Sequence, residues 1–207
     1  MGQILKFPPP ASKFGYKRVR KRCTEDHPDQ LKLFSESSAQ ILTLASSFSA
    51  FEQALMLDER GDQKAAEFYA KAIEDHDCVA DAYCNLGIIQ SRKGDTNKAF
   101  DCFTKSLKYD PRHSEAHYNL ANLYFELNDF RLAQIHYEMA VEVEPSFANV
   151  YFNLALVQTI NKDATGAIAA LHKYQKLVPR DEACTAEEML HELRKSVEAN
   201  GSHAGIK

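Results

Sequence analysis

The sequence predicts an all-α solenoid of about four stacked helical hairpins, with a C-terminal capping helix and a disordered N-terminal arm. Three observations carry this. The same pattern returns every 34 residues, so that Ala80–His113, Ser114–Phe147 and Ala148–Asp181 lie over one another in columns. Two columns hold only small residues, Gly87, Ala121, Ala155 and Ala99, Ala133, Ala167. A third column closes each block on proline: Pro111, Pro145, Pro179. A repeat of this length marks supersecondary units that cannot bury their apolar faces alone and stack in order to do so.

The arm comprises residues 1–34. It opens on an extended Pro8-Pro9-Pro10 and holds seven basic residues and no acid through Arg22. The remaining sequence has 18 basic against 29 acidic residues, so a basic arm precedes an acidic body. Lys17, Arg18, Arg20, Lys21 and Arg22 read either as a contact for nucleic-acid phosphate or as a solvated tail, or as an arm lying back on the acidic body. Further on, Gln30-Leu31-Lys32-Leu33-Phe34 resembles the linear motif with which many bacterial proteins dock on the replication sliding clamp. Gln30, Leu31, Leu33 and Phe34 fill its defined positions. The alternative is that the three apolar residues fold back over the first repeat.

Residues 35–79 form a long helix and a divergent first repeat. Ile41, Leu44, Phe48, Phe51 and Leu55 run at helical spacing as a core stripe, with a cap expected among Ser35, Ser37 and Ser38. Ala65, Tyr69 and Ala72 precede Ala99, Phe103 and Ser106 by one period. Ser49, Glu52 and Asp77, however, stand where later blocks have a ring, a leucine and a proline. A terminal repeat is expected to diverge in this way.

Residues 80–113, 114–147 and 148–181 are repeats two to four. Within each block a small residue at Gly87 or Ala99 stands where two helices must come close, and Leu86 and Phe103 fill the space beside it. Gly94-Asp95 breaks the pattern midway, as a helix–helix turn should. Pro111 ends the second helix. On these columns, residues 46–181 resemble the tetratricopeptide repeat family. The resemblance implies a right-handed superhelix whose inner face binds peptide segments, a scaffold rather than an enzyme. Residues 182–200 form the capping helix, with Thr185 and Glu188 at capping-box spacing and Met189, Leu190, Leu193 and Val197 on one face. Asn200-Gly201 ends it, and residues 201–207 are a frayed tail.

The family resemblance also implies a groove, lined by the first helix of each hairpin. Here the groove residues are Asn85, Ile88 and Arg92, then Tyr118, Asn119, Asn122 and Glu126, then Asn149, Phe152, Asn153 and Leu156. Asn85, Asn119 and Asn153 recur one period apart, similar to the asparagine ladder of O-linked N-acetylglucosamine transferases. An amide carries both donors and an acceptor, so such a row can hold a peptide backbone by its N–H and C=O. The other reading is that these asparagines serve the packing of adjacent helices. The family's clamp for C-terminal carboxylates needs Lys or Arg at groove positions where this sequence has Asp81, Glu115 and Asn149. The acidic edge formed by Asp81, Glu115 and Glu126 instead suits a neutral or basic segment, the protein's own arm among the candidates.

Chemistry finds no constellation. Phosphate-loop, nucleophile-elbow and zinc-protease motifs are missing from the sequence, and no cofactor or metal is expected. His117 occupies the ring column of Tyr83 and Tyr151, which packing explains. Five scattered cysteines read as reduced thiols in a cytoplasmic protein, and no apolar run approaches membrane-spanning length. Myristoylation at Gly2 is disfavoured by Lys6, which replaces the usual hydroxyl residue. The expected function is a protein-binding adaptor holding an extended partner segment. The alternative is a DNA-associated factor tethered by its arm to nucleic acid or the sliding clamp.

Overall fold

The computed structural model describes residues 15–20 and 48–203, with side-chain burial defined as far as residue 195. All secondary-structure elements among these residues are helices. They run α1 (Ala50–Glu59), α2 (Ala65–Glu74), α3 (Val79–Arg92), α4 (Thr96–Tyr109), α5 (Ser114–Glu126), α6 (Phe130–Val143), α7 (Ala148–Ile160), α8 (Ala164–Leu177) and α9 (Arg180–His203). The tightest pairings are α1 with α2, α3 with α4, α5 with α6 and α7 with α8, followed by each hairpin on the next. This is the stacked-hairpin solenoid that the period predicts.

The small columns lie at the helix crossings. Ala99, Ala121, Ala133, Ala155 and Ala167 are fully buried. A Cβ added to Gly87 would stand 2.7 Å from Phe103 Cε1, so the α3–α4 approach admits only glycine at that point. Phe103, Tyr137 and Leu171 fill the adjoining space without exposure.

The turns of the second, third and fourth hairpins share one chemistry. A residue in the left-handed region precedes an aspartate that caps the second helix. Gly94 (φ +79°), Asn128 (φ +61°) and Lys162 (φ +67°) supply the reversal. Asp95, Asp129 and Asp163 then accept the backbone N–H of Lys98, Leu132 and Gly166. Each of these caps satisfies a donor that the first helical turn leaves unpaired.

Several expectations are corrected. The helix that carries Phe51 and Leu55 begins at Ala50. Ser49 is the N-cap of α1, in a reciprocal capping box with Glu52, and Phe48 before it is 50% exposed. Two of the three residues that break the repeat columns are therefore the ones that start the helix. Asp77, in the proline column, accepts the Phe51 N–H at 2.8 Å and ties the start of α1 to the end of the hairpin. Ile41, Leu44, Ser35, Ser37 and Ser38 lie outside the described residues.

At the other end, α9 begins at Arg180, so Thr185 and Glu188 are interior to it rather than a capping box. The helix continues through Gly201 to His203. Ala183, Ala186, Met189, Leu190 and Leu193 cover α8, as a capping helix requires, while the side chain of Val197 lies outside the described set. Finally, Cys78 is disulfide-bonded, which overturns the reading of uniformly reduced thiols. Cys84, Cys102 and Cys184 are free. Burial pushes the Cys102 thiol up to about 11, away from nucleophile chemistry.

Candidate functional site

The first helices of the hairpins line one face of the solenoid, and residues 15–20 lie on it. The segment carries no helix or strand hydrogen bonding of its own. Its backbone groups go instead to asparagine side chains. Asn119 Oδ1 accepts the Lys17 N–H at 2.8 Å, and Asn119 Nδ2 donates to the Lys17 C=O at 3.0 Å. Asn85 treats Val19 identically, accepting at 2.8 Å and donating at 3.0 Å. The Tyr118 hydroxyl donates to the Gly15 C=O at 3.1 Å. The segment runs antiparallel to the order of the repeats, with residue 17 on the third hairpin and residue 19 on the second. Alternate residues meet successive rungs because an extended backbone presents the same edge every second residue.

Side chains of the segment are engaged as well. Val19 is 1% exposed and enters an apolar cluster with Cys84, Ile88, Ala99, Phe103 and Leu120. The Tyr16 ring stacks on Phe103 at 6.0 Å, and its hydroxyl donates to Glu126 Oε2 at 3.0 Å. Burial and the Glu126 charge raise the Tyr16 phenol far above its ordinary range, so it stays a donor. The Lys17 ammonium sits 3.5 Å from the centre of the Phe147 ring, a cation–π contact. Arg18 Nε lies 2.6 Å from Asp58 Oδ2, and Arg92 closes on the other carboxylate oxygen at 3.0 Å. Arg20 reaches Glu59 at 3.8 Å on the surface.

Set against the expected groove residues, the outcome divides by repeat. Asn85, Ile88, Tyr118, Asn119 and Glu126 all meet the segment, and Arg92 meets it through Asp58. In the fourth repeat the asparagine turns inward. Asn153 Nδ2 donates to Asn122 Oδ1 at 3.2 Å, and Asn122 Oδ1 also accepts from the Tyr137 hydroxyl. Phe152 is 5% exposed and packs on Tyr174 at 5.3 Å. Leu156 is half-buried against the same core, and Asn149 is exposed. Asn85 and Asn119 hold the backbone of residues 17 and 19, while Asn122 and Asn153 bond each other and Tyr137 within the solenoid.

The acidic edge is placed differently from expectation. Asp81 and Glu115 are buried beneath the inter-repeat turn. His113 caps α5 by accepting the Ala116 N–H at its Nδ1, which leaves its Nε2–H to donate to Asp81 at 2.9 Å. Glu115 takes the Ser114 hydroxyl. Asp58, Glu59 and Glu126 are carboxylates that meet residues 15–20, and Asp58 stands one period before Arg92, in the same column as Arg92 and Glu126. That column held the signal, hidden because the first repeat lacks the others' landmarks. Lys17 and Arg18 do not form a solvated tail, since Phe147 and Asp58 are their partners, whereas Arg20 is exposed and reaches Glu59 only at the surface. Lys21, Arg22, Gln30, Leu31, Leu33 and Phe34 lie outside the described residues.

With this geometry in view, the comparisons with known proteins find tetratricopeptide repeats in part of the chain. A family model described as tetratricopeptide repeat matches residues 80–113 and 114–147. The mouse protein "Tetratricopeptide repeat protein 8" is 29% identical over 122 residues, covering 59% of this chain and 23% of that one. "Superkiller protein 3" of Saccharomyces cerevisiae is 30% identical over 144 residues, 70% of this chain and 9% of the relative. The human "Protein O-mannosyl-transferase TMTC3" is 31% identical over 127 residues, 59% of this chain and 14% of the relative. The sequence thus spans less than a quarter of each of these proteins.

Among solved structures, the first tetratricopeptide domain of Spaghetti (RPAP3), bound to the HSP90 peptide SRMEEVD, superposes with a TM-score of 0.53 at 22% identity, over 57% of this chain and 93% of that one. MamA superposes with a TM-score of 0.55 at 19% identity, over 72% of this chain and 96% of that one. At such identity these two likenesses speak for the fold.

Proposed function

We propose that this tetratricopeptide-repeat protein is an interaction scaffold that holds an extended segment of another protein across α1, α3 and α5, a site its own residues 15–20 occupy when no partner is engaged. One observation carries the reading: Asn85 and Asn119, one repeat apart, each close two hydrogen bonds on the backbone of alternate residues, Val19 and Lys17. Backbone pairing of this kind is how a groove holds an extended segment, and side-chain sites along it add selectivity. A partner must displace the arm, so the arm sets the threshold for binding. The role is recognition. A tether to nucleic acid or to the sliding clamp gains no support from residues 17 and 18, because the Lys17 ammonium is turned onto Phe147 and the Arg18 guanidinium onto Asp58.

The test uses the full-length protein with Val19→Asp, which puts a carboxylate into an apolar site and expels the arm. A labelled peptide of residues 13–21 is titrated into it and followed by fluorescence anisotropy. Saturable binding is expected, weaker on the wild-type protein, whose arm competes, and lost when Asn85→Ala and Asn119→Ala are added. Equal binding with and without the two asparagines would refute the groove.

A further inference from the structure

Paired amides read backbone alone and accept any extended segment. This groove does more. Asp58 is a carboxylate 5% exposed at the C-terminal end of α1. Arg92, on α3, holds Oδ1 at 3.0 Å, and the Tyr69 hydroxyl lies 3.5 Å from Oδ2. Arg92 belongs to the repeats, so the buried carboxylate has a cationic partner on the solenoid itself. Oδ2 remains directed at the groove, where Arg18 Nε meets it at 2.6 Å.

The contact suits arginine and not lysine. Nη2 of the guanidinium donates to the backbone carbonyl of Asp58 at 3.3 Å, while Nε, 2.6 Å from Oδ2, pairs its charge with the carboxylate without hydrogen-bond alignment. One planar cation thus meets a carbonyl and a carboxylate at once. A lysine ammonium is a single point on a flexible stem and cannot span both. The last carbonyls of α1 add the negative end of the helix dipole beside it.

Two further side chains are read on either side. Val19 is buried in one cluster with Phe103 and Leu120, where a larger side chain would overpack the core. Tyr16 needs both a ring, for Phe103, and a donor, for Glu126.

We propose that the groove is selective for side chains, taking an extended protein segment of the pattern Tyr-x-Arg-Val, with Asp58 as an arginine-specific subsite preorganised by Arg92. This rests on the groove reading above and names the class of segment that a partner must offer to displace the arm.

The experiment compares two labelled peptides of residues 13–21, the natural one and one with Arg18→Lys. Each is titrated into the full-length Val19→Asp protein and into the same protein with Asp58→Asn added. The natural peptide is expected to bind the host that retains Asp58 at least about tenfold more tightly than the lysine peptide. With Asp58→Asn in place, the preference should collapse toward one. A preference that is absent while Asp58 is retained, or unchanged by Asp58→Asn, overturns the arginine subsite and leaves the groove standing. If the natural peptide binds neither host while circular dichroism shows both folded, the groove reading itself fails, and the subsite with it.

Discussion

Asn85 and Val19 form a closed pair: the buried amide accepts the Val19 N–H at 2.8 Å and returns a hydrogen bond to the Val19 C=O at 3.0 Å. Because Asn119 repeats this on Lys17, the two rungs are separable. Removing one amide deletes two hydrogen bonds, about 2 kcal/mol at about 1 kcal/mol each. Asn85→Ala is therefore expected to accelerate exchange of the Val19 amide about thirtyfold and that of Lys17 less, and Asn119→Ala to do the reverse. Amide hydrogen exchange on the full-length protein measures both. Uniform acceleration would mean that the segment docks as a block, without separate rungs.

How far the sequence discloses this site depends on which residues are asked. The period locates every hairpin from Val79 to Leu177, because crossings such as Gly87 on Phe103 tolerate few residue types. The groove asparagines are equally visible as a column. Their partners are not, since Asn119 bonds the backbone of Lys17, while Asn153 also bonds Asn122 and Tyr137 of the solenoid. Asp58 escapes a sequence reading because its repeat lacks the landmark ring and leucine, which Ser49 and Glu52 replace to cap α1. Charge contrast makes the arm a candidate occupant, but only the fold shows that Val19 and not a basic residue is its buried anchor.

Phe152 is built into the core. It packs on Tyr174 with 5% of its surface exposed. Phe152→Ala should therefore destabilise the fold by about 3–5 kcal/mol, as large-to-small core changes do. Denaturant unfolding checks this, and peptide affinity of the protein that remains folded should change far less than with Asn119→Ala. Unaltered unfolding with lost affinity would return Phe152 to the groove.

Gly87→Ala opposes two effects. Alanine favours a helix interior over glycine by about 1 kcal/mol. Its Cβ, however, would meet Phe103 at 2.7 Å, and Phe103 is fully buried with Tyr16 and Val19 packed against its cluster. Overpacking of this kind costs about 1–3 kcal/mol, so packing outweighs propensity and net destabilisation is expected. The arm should loosen too, since displacing the ring disturbs the floor of the Val19 site. Phe103→Leu in the same protein should restore part of the stability. Greater stability of Gly87→Ala alone would show that the crossing can widen.

The pair His117 and His136 gives the fold a pH dependence of known sign. His117 Nε2 faces the Pro111 carbonyl at 3.1 Å, so it carries the hydrogen. Its Nδ1 is then an acceptor, and the 3.1 Å contact with His136 Nδ1 requires the hydrogen on His136. Burial, then the neighbouring ring, lowers His136 from the usual 6.5 to about 4, and burial lowers His117 as well. The unfolded protein therefore binds protons below about pH 6.5 that the native one refuses, and stability falls as pH drops from about 6.5 toward 4. His136 is only partly buried, so solvent screening reduces its share to about 1–2 kcal/mol across that window. Urea unfolding at about pH 7 and about pH 5 should show this loss, and His136→Gln should flatten it. A wild-type protein equally stable at both values would mean that the native pair accepts the proton and that the rings separate to do so.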